Sequence, residues 1–251
     1  MNFKTNMTTS TLLAAGFSLL AGSAAAQTCV ANNCATLGFT KSEDNCEGDI
    51  IRCPFDTSKV FCKEKEVYVI EAGAILYSDG TISDSVIAGK TPVGIVAYVN
   101  GSTGFAVSLT EVSKTWSSGS EDVSCLTNYK SSSTAMTDMN GKTNTMCLVN
   151  YSSSYSYPAA EYCNTFSAVS NGKGSSGWYL PAAGELYSMS FSYGAINLGL
   201  QKLSKTHISS NYYWSSSEYD SYYVRYVTPS DGYVGVDFKH YSHRVRCVIA
   251  F

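Results

Sequence analysis

The pattern of apolar and polar positions along the 251-residue chain changes twice. Thr11 to Gly22 is an apolar run, preceded by Lys4 and followed by Ala24-Ala25-Ala26. That is the pattern of a secretory signal peptide over residues 1–26, and the run is shorter than the ~20 residues a membrane span needs. No later run is long enough, so no membrane span is expected after cleavage. Residues 27–63 are polar, with few large apolar side chains, and read as a loop segment. From residue 64 the pattern becomes that of a folded domain. Glu66–Ile70 and Gly73–Tyr77 read as short strands, the second followed by the turn Ser78-Asp79-Gly80. Pro92–Val99 and Gly104–Leu109 flank the turn signal Asn100-Gly101 and predict a hairpin. Ser117–Ser120, Ser131–Ser133 and Ser152–Ser154 mark loops. Thr143–Val149, Ala159–Phe166 (opened by Pro158) and Pro181–Met189 predict helices. Beyond Asn211 come short strands dense in Tyr and Val, closing with Arg244–Phe251. The order β, α, β over residues 64–251 makes the expected class α+β.

Composition sharpens this picture. Charged residues are 15% of the chain and hydrophobic residues 44%, with a net charge of −3. Such a balance excludes a coiled coil, a charge-rich disordered chain and a basic nucleic-acid binder. Nine cysteines in an exported chain imply an oxidising compartment, so the product is expected to be secreted, at the cell surface or in the periplasm. Cys29, Cys34, Cys46, Cys53 and Cys62 crowd the 27–63 segment, which is too poor in apolar residues to hold a core without disulfides. The segment has no Cys-x-x-Cys pair and no His, which argues against zinc. Five is odd. One of them pairs with the C-terminal region, joins another molecule as an oligomer, or stays free. Cys125, Cys147, Cys163 and Cys247 are spread over the rest.

Five ordered segments carry a family resemblance. Asp138-Met139-Asn140-Gly141-Lys142, Tyr157-Pro158-Ala159-Ala160, Gly177-Trp178-Tyr179-Leu180-Pro181 with Gly184-Glu185-Leu186-Tyr187, Tyr213-Trp214-Ser215-Ser216-Ser217-Glu218 and Arg244-Val245-Arg246 are the segments. Together, over residues 90–251, they resemble a set of bacterial surface domains that includes the C-terminal domain of collagen-like bacterial adhesins. These are similar to the C-type-lectin-like fold in its formylglycine-generating-enzyme-like branch. The resemblance implies a small twisted antiparallel sheet with two flanking helices and one loop-rich face. It also implies that the first and last strands of the domain lie close together, and structural roles for Glu185 and Glu218. Cys247 departs from the family pattern and could form a private bridge with Cys125.

The candidate chemistry lies in residues 211–243. These 33 positions hold eight Tyr, six Ser, three Asp, two His, two Gly and one Asn. Tyr offers large, rigid contact area with a hydroxyl, and Ser and Gly add adaptable contacts, the composition that antibody loops favour. Val234, Val236 and Phe238 alternate with Tyr233, Gly235, Asp237 and Lys239, so the two sets are expected on opposite faces. Trp214 reads as core. The expected recognition residues are Tyr219, Asp220, Tyr222, Tyr223, Arg225, Tyr226, Asp231, Tyr233, His240, Tyr241 and His243. Their expected partner is a glycan or protein on another surface. The segment also resembles the variable region of retroelement-diversified proteins. No catalytic constellation emerges: the only His are His207, His240 and His243, and the carboxylates are scattered. Neither an enzyme nor a metal or other cofactor is expected. The competing expectation is a fimbrial or surface-layer subunit assembling through the Cys-rich segment; an exported enzyme ranks third.

Overall fold

The computed structural model describes residues 49–53, 56–63 and 69–251. The expected signal peptide over residues 1–26 and Cys29, Cys34 and Cys46 lie outside the described residues. The chain divides into two compact units, Met1–Val67 and Tyr68–Phe251.

In the first unit the expected loop contains an antiparallel hairpin, β1 (Asp49–Cys53) with β2 (Asp56–Lys63). Its apolar positions are broken by Arg52 and Lys59, which hid the strand pattern. Cys53 is buried and disulfide-bonded, and Val60 is buried.

The second unit is a mostly antiparallel α+β arrangement. One sheet takes β3 (Ile75–Tyr77), β4 (Ile82–Ser83), β5 (Pro92–Asn100), β6 (Thr103–Ser108), β8 (Trp178–Tyr179) and β13 (Val248–Ala250), in the order β4-β3-β5-β6-β13-β8. The other takes β7 (Val112–Thr115), β9 (Tyr213–Glu218), β10 (Tyr223–Thr228), β11 (Tyr233–Phe238) and β12 (Ser242–Val245), in the order β11-β10-β9-β12-β7. Among the described residues the one parallel pairing joins β12 to β9 at Arg244 and Tyr213. Among the described residues the helices are α1 (Ser132–Ala135), α2 (Gly141–Asn150), α3 (Pro158–Thr165), α4 (Ala183–Ser190) and α5 (Tyr193–Lys202). That is more than the two flanking helices expected. The sequence reading missed α5 because Gly194 and Gly199 argue against a helix. Ile196 and Leu200, four apart on its buried side, hold it in place.

The core explains the sequence pattern. Ile75, Ile95, Val107 and Val248 face one apolar cluster with Leu186, Met189, Ile196 and Leu200 from α4 and α5. Their strand neighbours Leu76, Ala106 and Ile249 face a second cluster with Trp116, Leu148, Trp178 and Trp214. Both faces of the six-stranded sheet are therefore covered, and Pro92–Val99 reads as a continuous apolar run rather than an alternating one. Strand β13 returns to the sheet that holds β3, β5 and β6, so the first and last strands of this unit share a sheet.

Several boundaries shift. Residues 64–68 are outside the description and Val69-Ile70 is not strand, so Glu66–Ile70 has no observed strand. Asn100 pairs with Thr103, which places Gly101-Ser102 in the turn. Positive φ occurs at Gly101 (64°) and not at Ser102, the pattern of a type II′ turn, one residue beyond the expected Asn100-Gly101. Ser131 caps α1, its Oγ accepting from the Thr134 N–H, so the Ser131–Ser133 loop turns into a helix start. Pro181 precedes α4 rather than opening it.

The expected final strand Arg244–Phe251 is split between the two sheets. At the crossing, Arg246 donates to the carbonyls of Ser108 and Thr206, and Cys247 is bridged to Cys163. The other bridge joins Cys125 to Cys147. The Cys125–Cys247 pairing is thereby corrected: α3 presents Cys163 to the crossing, whereas Cys125 lies against α2. The four cysteines of this unit satisfy one another, so none is left for the odd cysteine of residues 27–63.

Candidate functional site

The family-like segments converge in the interior. The Asp138 carboxylate accepts from Asn140 N (3.0 Å), Asn144 Nδ2 (3.0 Å) and Ser217 Oγ (2.6 Å). Ser217 Oγ in turn accepts from Ala183 N at the start of α4, and Ser216 N donates to the Pro181 carbonyl. Glu185 accepts from Ala182 N (2.8 Å) and from the Tyr179 hydroxyl (2.9 Å). Burial pushes its carboxyl up to about 7, with the charge of Asp138 adding to the shift. Glu218 and Lys239 form a buried ion pair, and Glu218 also accepts from Val123 N. Lys239 donates to the Glu121 carbonyl and lies over the Trp116 ring. Lys239 is thus interior rather than an exposed neighbour of Tyr233. Burial raises the Glu218 carboxyl and lowers the Lys239 ammonium, each opposed by the partner's charge. These groups knit loops and strands together, and none is directed at solvent.

The tyrosine-rich segment supplies β9, β10, the edge strand β11 and the start of β12 in the five-stranded sheet. The β10–β11 register places Tyr226 opposite Gly235, Val224 opposite Asp237 and Thr228 opposite Tyr233, so Tyr226, Tyr233 and Asp237 share a face. The Tyr226 ring lies over Gly235: a Cβ there would sit 2.4 Å from Tyr226 Cζ. Tyr212 stacks on Tyr226, with ring centres 4.1 Å apart. His243 packs on Trp214 at 4.2 Å and edge-on to Tyr212 at 5.4 Å, while its Nε2–H donates to Asp237 Oδ2 (2.9 Å). Beside this stack opens a groove of about 510 Å³ lined by Ser113, Ser210, Asn211, Tyr212, Ser242, His243 and Arg244.

The remaining expected residues form a second group. Tyr223 packs on Phe238 at 4.5 Å, and Phe238 meets His240 and Tyr241. The Tyr219 ring carries Lys130 Nζ at 4.4 Å and Arg225 Cζ at 4.8 Å. Arg225 is buried, donating to the Tyr129 carbonyl and to Ser132 Oγ. Its charge positions residues 129–132 instead of facing a ligand. Asp220 accepts from the amides of Tyr222 and Tyr223, and Asp231 accepts from that of Tyr233, so both carboxylates shape turns. Outward-facing rings are Tyr222 (58% exposed), Tyr233 (58%), Tyr212 (45%) and Tyr241 (45%). Val236 is exposed on edge strand β11, although Val234 on the same face is buried. Sequence reasoning did not single out Tyr212, Asn211, Asp237 or Arg244. Alternation gave no signal for Tyr212, because Tyr213 and Trp214 after it are both buried while Tyr212, just ahead of β9, is exposed.

Among the described residues no group of three or more His, Cys, Asp or Glu side chains is arranged to hold a metal ion. None of the described helices is long and apolar enough to cross a membrane. No family of known proteins matches the chain, and no curated protein does. Among solved structures, a fimbrial protein from Bacteroides ovatus ATCC 8483, determined by crystallography at 1.85 Å, is similar in fold. The TM-score is 0.58 and the identity 20%, over 72% of this chain and 49% of that one. The chain thus spans about half the length of that neighbour.

Proposed function

We propose that this is an exported bacterial surface protein that recognises a glycan or protein ligand through the tyrosine-rich end of its five-stranded sheet. The observation that carries the reading is the Tyr212–Tyr226 stack, buttressed by His243 and Asp237 and open along a polar groove. Stacked rings are held rigid before a ligand arrives, which lowers the ordering cost of binding. Tyr222, Tyr233 and Tyr241 extend the exposed aromatic surface. Two bridges in the folded domain support an oxidising, extracytoplasmic location. The return of β13 to the β3–β5–β6 sheet and the buried meeting of the family-like segments support a C-type-lectin-like reading of the domain.

The test is binding of residues 27–251 to a glycan panel and to intact host and bacterial cells. Beside it runs a variant with Tyr212, Tyr222, Tyr233 and Tyr241 changed to Ala, checked for an unchanged unfolding temperature. Truncating exposed anchors is expected to weaken binding at least tenfold. Undiminished binding places the site elsewhere.

The fold likeness to a fimbrial protein favours one second reading, a structural subunit of a surface polymer. Ordered oligomers of the purified chain in dilute solution would support it, and a strict monomer that binds cells would count against it.

A further inference from the structure

We propose that the groove beside Tyr212 binds an acidic sugar, with Arg244 reading the carboxylate; this rests on the recognition function proposed above. Glu111 is one acid facing two guanidiniums. Its carboxylate lies 3.5 Å from Arg246 Nη1 and 3.7 Å from Arg244 Nη1, and accepts the Tyr213 hydroxyl at 2.8 Å. Arg246 is fully buried, and Glu111 is the carboxylate beside it. Arg244 is the outer member, its side chain 42% exposed, with that carboxylate beyond hydrogen-bond distance. The other charges nearby do not cancel it. Asp237 is held by His243 and the Phe238 amide, and His243 and Arg244, consecutive on β12, point to opposite faces. Lys114, across from His243 in the β7–β12 register, turns its ammonium over the Tyr162 ring, and Ser113 is the residue across from Arg244. Arg244 is thus the exposed cation of the groove lining, with Glu111 shared between it and the buried Arg246.

The rest of the lining suits a sugar. Ser113, Ser210, Ser242 and Asn211 offer hydroxyl and amide groups, and Tyr212, braced from behind by Tyr226, offers a fixed ring for the C–H face of a pyranose. An anion on Arg244 gains a charge-assisted, bidentate hydrogen bond, stronger than a neutral one. A lipid tail would find too little apolar wall here.

Residues 27–251 are titrated with two matched pairs, digalacturonate with its dimethyl ester and 3′-sialyllactose with lactose. Calorimetry is run on the wild type and on folded Arg244→Gln and Tyr212→Ala variants. For at least one pair the acid is expected to bind about tenfold or more tightly than its neutral partner. Arg244→Gln should erase that preference, and Tyr212→Ala should weaken both members. Equal binding of acid and neutral partner, or a preference that survives Arg244→Gln, overturns the inference. If neither pair binds while cells are still bound through Tyr212, the acidic-sugar inference fails and the recognition function stands. If nothing binds, both fail.

Discussion

The two bridges of the second unit differ in ways that can be measured. Cys163 and Cys247 are buried and 84 residues apart, and their bond ties α3 to the crossing between the sheets. Cys125 is exposed, and its partner Cys147 is 22 residues away on α2. Loop-closure entropy gives about 4.5 kcal/mol for a loop of this larger size and about 3.4 kcal/mol for the smaller. For a unit of this size about 4.5 kcal/mol corresponds to a fall in Tm of about 9 to 18 °C. The perturbations are the double variants Cys163→Ala/Cys247→Ala and Cys125→Ala/Cys147→Ala, followed by thermal and urea unfolding. The first should lose about 1 kcal/mol more than the second, before the added loss of two buried sulfurs. Graded dithiothreitol with peptide mapping should open Cys125–Cys147 first, because an attacking thiolate can reach it. Earlier opening of Cys163–Cys247, a larger loss from the short loop, or a peptide linking Cys125 to Cys247 would refute the reasoning.

Three further outcomes are expected. Glu185 sits at about 7 in the fold against an ordinary 4.5, so the folded state holds its proton more tightly. Its stabilising contribution is full below pH 4.5 and is lost as pH rises through 7, about 3 kcal/mol in all. Glu218 is raised over the same range, so urea titrations at pH 5 and pH 8 should show a slope that Glu185→Gln lessens by its own share without abolishing, and a slope unchanged in that variant would contradict the assignment. In Gly235→Ala the new methyl must displace the Tyr226 ring and break its stack on Tyr212. A loss of about 2 kcal/mol and a changed near-ultraviolet circular dichroism spectrum should follow, whereas an unchanged spectrum would count against the stack. Finally, nine cysteines with two bridges in the second unit leave five in residues 27–63. Denaturing, non-reducing mass spectrometry should find one reactive thiol per chain or a covalent dimer; an unmodified monomer without thiols would contradict the pairing.

Much of the fold was legible because local signals and tertiary needs agreed. The β5–β6 hairpin combined an apolar run with a turn glycine, and α3 carried Pro158 at its first position. Where burial overrode propensity, legibility failed: α5 forms despite two glycines because Ile196 and Leu200 are covered. The break between β12 and β13 was hidden because Arg246 looks like a surface residue until its carbonyl partners are assembled from distant segments. The candidate surface was legible as composition and not as geometry. Tyr, Ser and Asp marked residues 211–243, but only strand register separates outward Tyr212 and Tyr233 from inward Tyr213. Arg225 was misjudged for a related reason: its acceptor, the Tyr129 carbonyl, lies 96 residues away.

The most direct test of the account is hydroxyl-radical footprinting of residues 27–251, free and bound to a cell surface that retains the protein. Tyr212, Tyr222, Tyr233 and Tyr241 are expected to be protected, with Phe191 (75% exposed) and Leu198 (60%) on the helical side remaining reactive. Protection of Phe191 and Leu198 with the four tyrosines unchanged would contradict it.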